Sequence, residues 1–229
     1  MLLLAIDTSG RNGSLALARG ETTVTLETLE LLPLAGRMYS AQLIPQLKIA
    51  LERHQLTKTD LDAFAVATGP GSFTGLRVGL STVKALAEVL QKPIAAVSVL
   101  QAAARISAAQ GHVIVAIDAG RQQVFEGDYQ ISSELTVSSS REFLLPINDF
   151  LQSVEGSSAI LASPDRVVIE SAHRQGVKIN EIPAPQADTI ARLGFEQLIA
   201  GRAITAEALG PNYIRPSDAE LFSLPKLRP

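Results

Sequence analysis

The chain contains no cysteine. That excludes disulfides, thiolate zinc sites, iron–sulfur clusters and cysteine nucleophiles. Aromatic residues make up only 4%, so no base-stacking platform is visible. Histidine occurs only as His54, His112 and His173, never three or four residues from another, so there is no helical zinc pair. A Gly-x-Ser-x-Gly elbow is absent. Ser72 follows a glycine, yet no base can be identified for it, and helix capping accounts for it. Charge is sparse as well: 19% of residues are charged and the formal net charge is −3. Proteins that grip nucleic acid alone use a basic face, because phosphate neutralisation supplies most of the affinity. No Lys/Arg cluster is seen, so strong direct RNA binding is not expected. Low charge implies a weakly charged surface zone that could serve as a contact surface, or simply a large core.

What is present is a layered pattern. The 229 residues, 46% hydrophobic, suffice for two small domains. Leu2–Ile6 is a short apolar run that reads as a buried strand. It ends at Asp7, too short for a signal peptide or membrane span, so a cytoplasmic protein is expected. Turn chemistry over Asp7-Thr8-Ser9-Gly10 is followed by strands over Ser14–Arg19 and Thr22–Leu29. Leu43, Leu47, Ala50 and Leu51 predict a helix over Ser40–His54, with Pro45 in its first turns or at a kink. A strand over Asp62–Thr68, a helix over Thr74–Leu90, a strand over Ile94–Ser98 and an alanine-rich helix over Val99–Gln110 follow. Strands alternating with helices argue for an α/β fold.

The opening pattern then returns. Val113-Ile114-Val115-Ala116-Ile117-Asp118 mirrors Leu2-Leu3-Leu4-Ala5-Ile6-Asp7, and each runs into a Gly-Arg turn, Gly10-Arg11 and Gly120-Arg121. Strands over Gln123–Gln130 and near Leu135–Ser138 follow the second copy. One architectural unit used twice is expected: subdomains at 1–110 and 111–210, then an extended, proline-rich tail at 211–229. Ala159–Ala162 and Val177–Ile179 are weak strands. Asp188–Ala200 is a helix with Asp188 placed as its cap and Gly201 as its stop.

Between a strand and a helix lies Gly69-Pro70-Gly71-Ser72-Phe73-Thr74-Gly75-Leu76-Arg77-Val78-Gly79. It lacks the Gly-Lys-Ser/Thr ending of a phosphate loop and the third glycine of a dinucleotide fingerprint. Gly71, Gly75 and Gly79 are spaced by four and so share one helix face. An interior helical glycine costs about 1 kcal/mol relative to alanine. Another backbone must pack close to that face, either from this chain or from a partner. Asp7 with Thr8 and Ser9, and Asp118 in the second copy, end buried strands. An acid there can hold a metal-bound phosphate or brace a tight turn.

Gly69–Arg77 matches the Gly-Pro-Gly-Ser-Phe-Thr-Gly-Leu-Arg signature of the TsaB (YeaZ) family, which the whole chain resembles. Leu4-Ala5-Ile6-Asp7-Thr8-Ser9 is similar to the family's opening strand and Ser40–Pro45 to its first helix. Asp118–Phe125 is similar to its second-half opening, and Pro211-Asn212-Tyr213-Ile214-Arg215 to its carboxy-terminal motif. The resemblance implies the ASKHA fold of actin, heat-shock chaperones and sugar kinases, two tandem subdomains with mixed sheets flanked by helices. It also implies a non-catalytic subunit in the formation of threonylcarbamoyladenosine in tRNA. Such a subunit pairs with the catalytic, metal-bearing paralogue TsaD and recruits the ATPase TsaE. tRNA would be met only through the complex, and the pairing surface can also support homodimers. The family places that contact on the glycine-signature helix, here Gly71, Ser72, Phe73, Thr74, Gly75, Leu76, Arg77, Gly79 and Leu80. No catalytic residue, no metal and no tightly bound cofactor are expected. ATP or ADP with magnesium would bind only weakly, at a partner interface, through Asp7, Thr8, Ser9 and Asp118.

The sequence departs from the family's pattern at Tyr39 (often histidine), Ala41 (often glutamate), Gly120 (often arginine), Gln123 (often glutamate) and Phe125 (often tyrosine). Two rival readings remain: a nucleotide-dependent ASKHA enzyme acting through Asp7, Thr8, Ser9 and Asp118, and a glycoprotease-like metallopeptidase, for which the sequence offers no nucleophile or metal set.

Overall fold

The computed structural model describes residues 1–20, 25–36, 38–132 and 137–214. Its first half runs β1 (Leu2–Asp7), β2 (Gly13–Gly20), β3 (Leu26–Leu34), α1 (Tyr39–Arg53), β4 (Ala63–Gly69), α2 (Phe73–Leu90), β5 (Ile94–Ser98) and α3 (Val99–Ile106). The second half repeats that order as β6 (Gly111–Gly120), β7 (Gln123–Ile131), β8 (Val137–Pro146), α4 (Ile147–Ser153), β9 (Ile160–Ser163), α5 (Arg166–Arg174), β10 (Asn180–Glu181) and α6 (Ala187–Ile199). The sheets have the same topology, β3-β2-β1-β4-β5 and β8-β7-β6-β9-β10. In each, the opening strand is antiparallel to the hairpin strand after it and parallel to the fourth, as in β1 with β2 and β4, and β6 with β7 and β9. This repeated three-strand meander, helix and two βα units is the ASKHA fold.

Side-chain size decides the layers. Successive residues of a strand point to opposite faces. On the first sheet, Leu2, Leu4, Ile6, Leu15, Leu17, Phe64 and Val66 face α1 and α2, where they join Leu43, Leu47, Leu76 and Leu80. The opposite face is built largely of alanine, with Ala5, Ala16, Ala18, Ala63, Ala65 and Ala95. Small side chains let α6 come close: a Cβ on Gly194 would lie 2.5 Å from that of Ala65. α6 thus covers the first sheet, although it belongs to the second half of the sequence, while α3 covers the second sheet. These helices form one shared layer, and their core includes Val113, Val115 and Tyr129 from the second sheet. α4 and α5 cover that sheet's outer face through Phe150, Leu151, Val168 and Ile169. A strand covered on both faces reads as a continuous apolar run, which is why β1 is buried along its whole length.

Several boundaries differ from expectation. β3 extends to Leu34, through Pro33; it is a sheet edge, where a missing N–H is tolerated. Residues 21–24 and 133–136 lie outside the described residues, so the starts expected at Thr22 and Leu135 do too. The strand expected at Val177–Ile179 lies slightly later, as the two-residue β10. Asp188 is not the cap of α6: Gln186 holds that position, and Asp188 sits in the first turn. Of the tail placed at 211–229, residues 211–214 are anchored to the body, and the remainder lies outside the described residues. Among the described residues no helix is long and apolar enough to cross a membrane.

Candidate functional site

The two halves meet at a cleft of about 920 Å³. The carboxyl ends of β1 and β6 deliver the same turn to it twice. Asp7 Oδ1 accepts the Ser9 N–H at 2.8 Å, and Asp118 Oδ1 accepts the Gly120 N–H at 2.8 Å. An aspartate bonding the backbone two residues on is a standard turn brace. Both acids nevertheless line the cleft, so the brace also fixes a carboxylate at its wall. Asp7 is buried, and that burial raises its pKa despite the opposing hydrogen bonds from Ser9.

The glycine segment is built against the first of these turns. Gly69 has φ +114, a conformation that side chains resist, and it turns the chain from β4 into α2. Ser72 caps α2 by accepting the Gly75 N–H at 3.3 Å, as its sequence position predicts. Its own N–H donates to the Ser9 carbonyl at 2.7 Å. A Cβ on Gly71 would lie 2.5 Å from Ser9 O, one on Gly75 2.1 Å from Thr8 O, and one on Gly79 2.4 Å from Thr8 Oγ1. Thr8 Oγ1 donates to the Gly75 carbonyl at 2.8 Å. The expectation that a second polypeptide fills this ridge is corrected: the close neighbour is the chain's own Thr8–Ser9 turn. Gly75, Gly79, Leu76 and Leu80 are all buried within the subunit, the two leucines in the core beneath α2.

Thr8 is corrected as well. Its hydroxyl is spent on α2 and it is 1% exposed, so it cannot meet a ligand in the cleft. Asp7, Ser9 and Asp118 do line that space. Pro70 has no N–H, and the Ser72 and Gly75 amides are already bonded, so these three positions offer nothing to a phosphate at the start of α2. Among the described residues, no group of three or more His, Asp or Glu side chains could hold a metal ion.

Of the signature residues, Gly71, Phe73, Thr74 and Arg77 are exposed and Ser72 is half-buried. Phe73 stacks on Tyr213 with ring centroids 5.3 Å apart. The Arg77 guanidinium lies 3.8 Å from the Phe73 centroid, and its Nε donates to Tyr213 Oη at 3.3 Å. α1 begins beside this end of α2. The buried Tyr39 ring passes 3.3 Å from the Gly75 Cβ position, and its hydroxyl donates to Gly10 O at 2.8 Å. Tyr39, where the family often has histidine, therefore bolts α1 to the first turn. The outer surface of α1 shows Ile44 at 52% exposure, preceded by Met38 at 62%.

Sequence reasoning missed Asp165. Its Oδ2 accepts the Asp118 N–H at 2.8 Å, and burial, together with the nearby Asp118 charge, raises its pKa against that bond. The internal repeat holds the signal: Pro164-Asp165 follows β9 as Pro70-Gly71 follows β4, and both prolines line the cleft.

The duplicated topology and the two braced aspartates across a cleft define the class, a two-lobed ASKHA protein. Comparison with known proteins narrows it. Residues 33–203 match the family described as "TsaD: tRNA N6-adenosine threonylcarbamoyltransferase". The chain is 30% identical to the tRNA threonylcarbamoyladenosine biosynthesis protein TsaB of Bacillus subtilis, over 96% of each. It is 27% identical to the TsaB of Escherichia coli, over 94% of this chain and 95% of that one. The crystal structure of a protein with similarity to peptidase YeaZ from Pseudomonas aeruginosa superimposes with a TM-score of 0.78 at 26% identity, over 93% of this chain and 99% of that one. The chain belongs to the TsaB (YeaZ) family.

Proposed function

We propose that this chain is a non-catalytic subunit in the formation of threonylcarbamoyladenosine in tRNA, and that it docks a TsaD-type catalytic paralogue and helps recruit TsaE. The names of its relatives support the pathway. The observation that carries the docking reading is the exposed start of α2, with Phe73, Thr74 and Arg77 at the surface, together with the exposed Met38 and Ile44 at the start of the neighbouring α1. Gly71 and Ser72 form the rim of that surface. Gly75, Leu76, Gly79 and Leu80 support it from within and do not touch the partner. A second copy of this chain could use the same surface in the absence of the paralogue. tRNA is reached through the complex. Depleting the chain from its host and analysing tRNA nucleosides tests this reading: threonylcarbamoyladenosine should fall, and an unchanged level would refute it.

A second reading rests on the cleft. Its volume falls in the range of small-molecule sites, and Asp7, Ser9 and Asp118 line it. ATP or ADP with magnesium would bind there weakly, completed by the partner. Calorimetric titration of the free chain separates this weak, partner-completed site from a nucleotide-dependent enzyme, which would bind tightly and turn over.

A further inference from the structure

The segment 211–214, which follows α6, makes contacts that neither the pathway assignment nor the docking surface explains. Glu142, on β8, stands opposite Gly127 of β7. Its Oε1 accepts the Tyr129 hydroxyl at 2.6 Å and also the Ser98 hydroxyl. Its Oε2 accepts the Asn212 side-chain N–H at 2.6 Å. Ser98 ends β5 of the first sheet and caps α3. Tyr129 belongs to the second sheet and is fully buried. The backbone N–H of Asn212 donates to the Thr68 carbonyl of β4 at 2.8 Å. One carboxylate therefore gathers donors from both sheets and from the segment that follows α6. Hydrogen bonds to an ionised acceptor are shorter and stronger than neutral ones.

Neighbouring residues keep this arrangement in place. A Cβ on Gly127 would lie 2.5 Å from the Tyr129 ring, so a side chain there would push the phenol away from Glu142. Beyond Asn212, Tyr213 lies on Phe73, and Ile214 packs against the core shared by the two sheets. Asn212, Tyr213 and Ile214 all line the cleft. Two-lobed proteins with a cleft commonly move by hinge closure of the lobes. A link from β8 through Asn212 to β4 crosses from one lobe to the other at the cleft and opposes that motion.

We propose that the Glu142–Asn212 contact is a clamp that fixes the angle between the two sheets, and with it the width of the cleft. This goes beyond the docking reading and does not depend on it, because the clamp acts in the free chain. It makes this protein a rigid body, with the start of α2 held in place through Tyr213.

The absence of cysteine permits a direct test. Spin labels are placed through Glu88→Cys on α2 and His173→Cys on α5, both exposed positions on the outer helices of opposite lobes. Pulsed electron-electron resonance then reads the distance distribution in the full chain, below the melting transition of each variant. The unmodified clamp should give one narrow distribution. Asn212→Ala should broaden it at least twofold. Asn212→Asp, which sets two carboxylates against each other, should do the same. Adding Glu142→Gln to Asn212→Asp reverses the donor and acceptor and should restore the narrow distribution. Unchanged width in both single variants, or failure of the reversed pair to recover it, would overturn the proposal.

Discussion

Thr8 and Gly75 interlock: the Thr8 hydroxyl donates to the Gly75 carbonyl at 2.8 Å, and a Cβ on Gly75 would stand 2.1 Å from the Thr8 carbonyl oxygen. The glycine signature is thus first of all a device for seating α2 on the end of β1. It brings the exposed residues of the first helical turns to a fixed place beside the cleft.

Gly75→Ala and Gly79→Ala should therefore destabilise the fold itself. Alanine gains about 1 kcal/mol in helix propensity, but overpacking against a fixed backbone costs about 1–3 kcal/mol, and at Gly75 the obstacle is a carbonyl oxygen. A net loss of about 0–2 kcal/mol, at the upper end for Gly75, is expected in urea denaturation. Gly10→Ala serves as the control, since its nearest neighbour would be at 3.5 Å, ordinary contact. Equal stability of Gly75→Ala and the parent would contradict the interlock.

Asp7→Asn should stabilise the protein, increasingly so as pH rises. Burial raises the Asp7 pKa from its ordinary 3.8, so the folded chain binds the proton more tightly than the unfolded chain. Native stability from this group is complete below the ordinary carboxylate pKa and declines as pH rises through the folded value. Asparagine stays neutral, and its oxygen can still accept the Ser9 N–H. Denaturation at pH 4.5 and pH 7.5 checks this: the gain from Asp7→Asn should be larger at pH 7.5, and a pH-independent difference would show that burial does not disfavour the charge. A carboxylate kept where it costs stability points to a use for its charge at the cleft.

Ser72→Ala should cost about 1 kcal/mol, the usual loss of a helix cap, without disturbing the Ser9 carbonyl, which is held by the backbone N–H of residue 72. Thermal melts of Ser72→Ala and Ser72→Asp separate the two contributions. Aspartate can cap and should retain most of the stability, whereas equal losses in both would assign the effect to packing.

Much of the fold was legible because its strands are either short apolar runs or follow a clear turn. The sequence places β1 and β5 to within one residue and β6 to within two at each end, and the Ala-Ile-Asp repeat exposes the duplication. α4 was not legible, since its seven residues span only about two turns, shorter than the window over which a helical period stands out. α5 was hidden because Val167, Val168 and Ile169 read locally as a strand. Nor could sequence show that α6 returns to the first sheet: the alanine face that receives it is spread over four strands. The site was half legible. Asp7 and Asp118 carried their own turn signature, whereas Asp165 and Glu142 act through partners at 118 and 212, tens of residues away. The spacing of Gly71, Gly75 and Gly79 correctly demanded a close neighbour, but spacing alone does not say whose backbone that is.

On the proposed docking, the exposed first turn of α2 receives a TsaD-type paralogue. Titration calorimetry of the chain against that paralogue from the same organism tests it, with Thr74→Arg as the probe because Thr74 is exposed there. The parent should bind saturably, and Thr74→Arg should bind at least about tenfold more weakly, a loss of about 1.4 kcal/mol, with an unchanged melting temperature. No binding by the parent, or equal affinity for Thr74→Arg, would contradict docking at this turn.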